Sequence, residues 1–189
     1  MTVLHWIIPA LWLIFLAYWA VSAIGVKRNV EATAWWNQGA LRLSIVVLII
    51  IAFSVPEVRR ALRLAQAHAG GALTGAIGTV LVGLGVGLAI FARTYLGRNW
   101  GTPMSRKENP ELITGGPYAF IRHPIYTGIF LAMLGSTIGE SVIWVLPLVL
   151  GGTYFIYSAW REEEFMSRQF PEEYRAYRHC TKMFVPFVL

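Results

Sequence analysis

Long apolar runs alternate along this chain with compact polar and basic segments, on a scale much longer than one helical turn. From Leu4 to about Val26 the run is apolar apart from His5, Ser22 and scattered aromatics, and Lys27 and Arg28 close it. Such a run is long enough to cross a bilayer as a helix. A second run, Leu41 to Val55, is rich in Ile and Val and stops at Pro56. It is short for a crossing, which predicts a helix that starts earlier, with Arg42 snorkelling. Further runs complete a set of spans at roughly 4–26, 41–56, 72–92, 124–139 and 142–160, the last kinked near Pro147. The fourth is also short, so the fourth and fifth read as a tilted hairpin turning at Glu140 and Ser141. The pattern predicts an all-α, polytopic membrane protein of about five transmembrane helices with a cytoplasmic C-terminal helical tail, residues 1–189 forming a single domain.

The polar segments have their own organisation. Val30–Gln38 is a connector in which Trp35 and Trp36 read as an interfacial aromatic belt. Glu57–Gly71 carries Arg59, Arg60 and Arg63 and reads as a surface helix ended by Gly70 and Gly71. The loop 99–123 is too long for a bare connector. In the tail, 161–189, Glu162, Phe165, Met166 and Gln169 share one helical face. Pro171-Glu172-Glu173 starts another helix, with Arg175 and Arg178 near its end. On the third span, Gly75, Thr79, Gly83 and Gly87 recur every four residues and predict a face for close helix approach.

Composition agrees with a membrane chain: 56% hydrophobic residues, 14% charged and eight Trp, with mean hydropathy +0.55. The formal net charge of +6 then points to anionic lipid headgroups rather than to nucleic acid. Cys180 stands alone, so neither an intrachain disulfide nor a cysteine-based metal site is expected. No small-residue cleavage site follows the first run, which therefore reads as a retained span. With five spans, the segments Lys27–Arg42, Arg93–Arg122 and the tail share one side and hold 13 of the 16 basic residues. The positive-inside rule places that side in the cytoplasm and the amino terminus outside.

Candidate chemistry concentrates in Gly115–Gly128, where the basic loop meets the fourth span. Pro124 suits the first position of a helix, whose leading N–H groups and dipole favour an anion. Arg122 offers a planar fork suited to a carboxylate, and His123 can donate, accept or titrate. An Arg-His pair at the foot of an apolar helix is equally an interfacial anchor. Its location on the same side as the Glu-rich tail favours a site built from both.

The motifs Gly116-Pro117-Tyr118, Arg122-His123-Pro124-Ile125-Tyr126, Glu162-Glu163, Phe170, Tyr174, Tyr177 and Val185-Pro186 together resemble the integral-membrane isoprenylcysteine carboxyl methyltransferase family, within a broader phospholipid methyltransferase-like group. The resemblance covers roughly the last hundred residues. It implies S-adenosylmethionine as methyl donor, bound on the cytoplasmic face, and a prenylated or other lipophilic acceptor entering from the bilayer. By the same resemblance Leu112, Ile113, Gly116, Pro117 and Tyr118 cradle the cofactor, and Arg122, His123 and Tyr126 contact it. Glu162 and Glu163 lie by the methyl group or acceptor. No metal is implied.

Two positions depart from the pattern: Pro110, where many members have His, and Ser158, where the isoprenylcysteine enzymes have Arg. Arg161, about one turn on, is the candidate replacement and joins the catalytic set. Carboxyl O-methylation is the leading expectation. The rivals are a phospholipid-type N-methyltransferase, a sterol-reductase-like NADPH enzyme and a non-catalytic membrane scaffold. Ile125, where the reductases usually carry Asn after Arg-His-Pro, argues against the reductase.

Overall fold

The computed structural model describes residues 4–27, 54–67, 71–104 and 108–186, and isolated positions within 43–51. The connector with Trp35 and Trp36, Arg42, most of the second run, Arg106 and Lys107 lie outside the described residues. The named helices are α1 (Leu4–Ser22), α2 (Pro56–Ala67), α3 (Ala72–Leu96), α4 (Pro124–Gly139), α5 (Val145–Gln169) and α6 (Pro171–Cys180), with 3-10 turns at Gly97–Asn99, Gly116–Ala119 and Val142–Trp144. Among the described residues the class is all-α, and the one extended pairing is an isolated bridge between Ile121 and Lys182.

The tightest contact is α3 against α4, made by small residues on both helices. A Cβ added at Gly85 would lie 2.5 Å from Ala132 N and Gly128 O, and one at Gly78 would lie 2.4 Å from Gly139 Cα. Backbone therefore meets backbone, which only glycine permits here. This corrects the expected face: among the described residues, Gly75, Gly83 and Gly87 have nothing within 4 Å of an added Cβ. A four-residue repeat drifts about 40° per step on a helix of 3.6 residues per turn, so by Gly87 it has turned about 120° away from Gly75. The face actually used, Gly78, Val82, Gly85, Ala89 and Ala92, is buried and follows the alternating four-and-three spacing of a helix seam.

Helix α1 joins this pair through Trp12, whose Nε1 donates to Ser136 Oγ at 2.9 Å and whose ring stacks on Trp144 at 5.1 Å. The 28-residue helical stretches Ala72–Asn99 and Val142–Gln169 are long and apolar enough to cross a membrane, yet only 33% and 17% of their apolar windows are buried within the protein. Leu73, Ile77, Val80 and Leu84 on α3 and Val149, Ile156 and Trp160 on α5 all face outward. Such a surface requires hydrocarbon around it, and the chain is an integral membrane protein.

One further expectation changes. Pro147 sits in the first turn of α5, where its missing N–H costs nothing and no kink is needed. Ser158, Arg161 and Glu162 share one helix, as α5 continues through the charged stretch to Gln169.

Candidate active site

The carboxyl ends of α1, α3 and α5 meet the start of α4 at one end of the bundle. Arg93, in the last turn of α3 and 3% exposed, ties this end together. Its Nη1 donates to Gly97 O at 2.7 Å and its Nη2 to Ser22 O at the close of α1, and its guanidinium lies 4.6 Å over the Trp100 ring. A cation shared between two helix carboxyl termini is well placed, because both present partial negative charge. Lys27 fixes the following loop, with Nζ 2.6 Å from Asn99 Oδ1, 2.8 Å from Asn109 O and 2.8 Å from Glu111 Oε1. These hydrogen bonds from Lys27, then Asn99, hold the Glu111 carboxyl below the usual range.

The approach to α4 depends on Gly116. Its φ of +59° is left-handed, and an added Cβ would strike the Tyr95 ring at 2.4 Å. The turn Gly116–Ala119 then buries Tyr118. Beyond it the chain pairs with the tail: Arg122 N donates to Lys182 O at 2.8 Å and His123 N to Met183 O at 3.1 Å. Thr127 Oγ1 donates to Phe184 O at 2.8 Å and the Tyr177 hydroxyl to Tyr118 O at 2.7 Å. Burial pushes the Tyr177 phenol up to about 12, so it remains a donor at neutral pH.

Adjacent carboxylates on α5 have different surroundings. Glu163, with its side chain 7% exposed, receives Arg122 Nε at 2.7 Å. His123 Nε2 lies 3.4 Å from the same oxygen and Arg178 Nε 3.8 Å from the other. Arg122 also donates Nη1 to Thr181 O at 2.6 Å. Glu162, 31% exposed, has Oε2 3.7 Å from His123 Nδ1. Its Oε1 accepts from the Tyr126 hydroxyl at 2.6 Å and from Met104 N at 2.9 Å. Tyr126 lies parallel to His123 at 5.5 Å and stacks on Phe155 at 4.8 Å.

These groups border a cavity of about 510 Å³ whose walls include Leu112, Ile113, Tyr118, Arg122, His123, Tyr126, Glu162 and Glu163. Its size is that of a small-molecule site. Gly116 and Pro117 do not line it; they shape the turn that delivers Tyr118. Arg161 does not reach it. About half exposed, Arg161 pairs with Glu164 at 2.9 Å on the outer side of α5, and Ser158 is fully buried, donating to Tyr154 O at 2.7 Å. Arg161 points roughly 60° away from Ser158 around the helix, and Glu164, three residues on, holds it there. Its assignment as a replacement cation is therefore corrected.

Sequence reasoning missed Phe15, Trp19 and Trp100, which also line the cavity. Phe15 and Trp19 lie in an apolar run, where aromatics read as packing, and Trp100 lies in the loop 99–123 with nothing to single it out. The Tyr118 hydroxyl is buried without a hydrogen-bond partner among the described residues. Burial first, then the Glu162 charge, pushes its phenol well above the ordinary value, so it remains a neutral donor at the cavity wall.

Fold and site together define a helical membrane protein with a cavity at one end of its bundle, lined by both charged and apolar side chains. The chain belongs to the phospholipid methyltransferase family, whose model matches residues 73–173, more than half of its length. It is 34% identical over 106 residues to the cobalt-zinc-cadmium resistance protein CzcN of Cupriavidus metallidurans, covering 54% of this chain and 46% of that protein. It is 29% identical over 109 residues to the protein-S-isoprenylcysteine O-methyltransferase of Schizosaccharomyces pombe, covering 56% and 46%. The chain thus matches about half the length of these relatives. Among solved structures, the eukaryotic intramembrane Ras methyltransferase ICMT aligns with a TM-score of 0.47 and 22% identity, over 84% of this chain and 55% of that one.

Proposed function

We propose that this chain transfers a methyl group from S-adenosylmethionine to a lipophilic acceptor, at a site on the cytoplasmic side of the membrane. The observation that carries the reading is the cavity itself. It is large enough for a small molecule, and Glu162, Tyr126 and His123 converge on it beside apolar walls. The cofactor fits the donor set. Tyr118 offers a buried, unpartnered hydroxyl, and Glu162 with the Tyr126 ring suits a cationic group. Leu112 and Ile113 give apolar cover. When bound, S-adenosylmethionine supplies an electrophilic methyl group on a sulfonium. Transfer by in-line displacement needs alignment and exclusion of water more than acid–base help.

The residues divide the work accordingly. Glu163 neutralises Arg122 and braces His123, while Glu162 remains accessible to orient the acceptor. The S. pombe relative makes carboxyl O-methylation of an isoprenylcysteine-like acceptor the first activity to test. Phospholipid-type N-methylation is the second reading, and one observation favours it. Arg122 is committed to Glu163 and Thr181 O, whereas Glu162 presents negative charge suited to an amine.

Calorimetry in detergent with S-adenosylhomocysteine and with NADPH tests the cofactor class. Binding of the former and not the latter is expected, and the reverse overturns the proposal. Incubation with prenylcysteine and phospholipid acceptors and labelled S-adenosylmethionine then separates the two chemistries.

A further inference from the structure

Among the described residues that line the cavity, Phe15 and Trp19 are the two that precede the family-matched segment 73–173. They come from α1 and extend the cavity away from its charged end. Phe15 lies seven residues before Ser22, the end of α1, and so about 10 Å deeper along the helix. On α5, Phe155 lies seven residues before Glu162, about 10 Å deeper as well. Ile129, one turn and a half into α4, joins Phe15 and Phe155 at this deep end, which Tyr154 also lines. The other end carries Arg122, His123, Glu162 and Glu163. The cavity is thus amphipathic along its length, and its deep end lies at the level of the membrane-facing residues Leu13, Ile14 and Leu16 on α1.

The α1 wall is held rigidly. Phe15 stacks on Trp19 at 4.4 Å, and Trp19 meets Trp100 edge-on at 5.9 Å. Arg93 clamps Trp100 while donating to Ser22 O on α1.

We propose that Phe15 and Trp19 are specificity-determining residues, forming the wall against which the apolar chain of the methyl acceptor lies and setting the chain it accepts. The inference rests on the methyltransferase reading above and adds to it the element that selects the acceptor. A helix that contributes to the cavity from outside the family-matched segment is free to differ between members that share their donor site. The side chains of Phe15, Ile129 and Phe155 offer an alkyl or isoprenoid chain hydrocarbon contact.

The test uses the full chain in nanodiscs with labelled S-adenosylmethionine and a total lipid extract supplemented with prenylcysteines of different chain length, labelled products being separated by chain length. Phe15→Trp should narrow the deep end and cut labelling of the longest-chain products about tenfold, the scale on which apolar pockets discriminate. Trp19→Phe should raise KM for the extract without lowering kcat. Both variants should bind S-adenosylhomocysteine within about twofold of the parent, which also reports that they fold. An unchanged chain-length distribution in Phe15→Trp overturns the proposal. So does a tenfold loss of S-adenosylhomocysteine affinity in both variants, since the wall would then belong to the donor site. If the parent binds S-adenosylhomocysteine but labels no extractable lipid, the proposed occupant is wrong. If the parent does not bind it at all, the methyltransferase reading itself fails.

Discussion

Glu162 and Glu163 are neighbours in sequence and both line the cavity, yet roughly 100° of helical turn leaves Glu162 partly exposed beside Tyr126 and buries Glu163 against Arg122. Their substitutions should separate accordingly. Glu162→Gln keeps the shape and weakens the hydrogen bonds from Tyr126 and Met104 N. Loss of acceptor alignment should lower turnover about a hundredfold, with S-adenosylhomocysteine affinity within a few-fold by calorimetry; near-parental kcat would remove Glu162 from the reaction. Glu163→Ala leaves Arg122, with 9% of its side chain exposed, without its carboxylate. Breaking such a pair costs about 3–5 kcal/mol, so the thermal transition in detergent should drop sharply, more than for Glu162→Gln. Arg161→Ala removes an exposed pair with Glu164 worth at most about 1 kcal/mol. Initial rates should not change, whether the acceptor is anionic or not.

At the scale of elements, the α3–α4 seam is the part of the fold least able to yield. A side chain at Gly85 meets the α4 backbone, whereas one at Gly83 meets nothing within 4 Å among the described residues. Gly85→Val should therefore push the helices apart, beyond the 1–3 kcal/mol or so typical of overpacking, and give little folded protein by size-exclusion chromatography. Gly83→Val should behave like the parent. Equal behaviour of the two variants would mean that the seam is misassigned. The seam also serves the site. It fixes the start of α4 near the end of α3, and so sets the distance between the loop before Pro124 and the aromatic wall of α1.

For the whole molecule, the arrangement of helix ends makes a topological prediction. The cavity, Lys27 and the tail lie at one end, while the Val142–Trp144 turn, with α2 packed beside it, lies at the other. A reporter fused after Leu189 should read cytoplasmic, and one inserted at Glu140–Ser141 should read from the opposite side. Both on one side would exclude α4 and α5 as a crossing hairpin. Much of this plan is legible in the sequence, because hydrophobic runs, prolines and basic segments act locally. An apolar run must leave water wherever it packs, and Pro124 and Pro171 start helices whatever lies around them. The Arg-His-Pro motif and the Glu pair are likewise visible as residue types and as neighbours of an apolar boundary. What tertiary structure alone decided is which groups meet. Four-residue glycine spacing on α3 is as conspicuous as the seam that packs, but only the presence of α4 distinguishes them. Arg161 and Arg122 are both plausible cations until Glu164 engages one and Glu163 the other. Phe15 and Trp19 are ordinary membrane aromatics until Arg93 draws α1 against Trp100 and turns them toward the cavity. Each of these outcomes depends on contacts between segments far apart in the chain, and no local pattern encodes them.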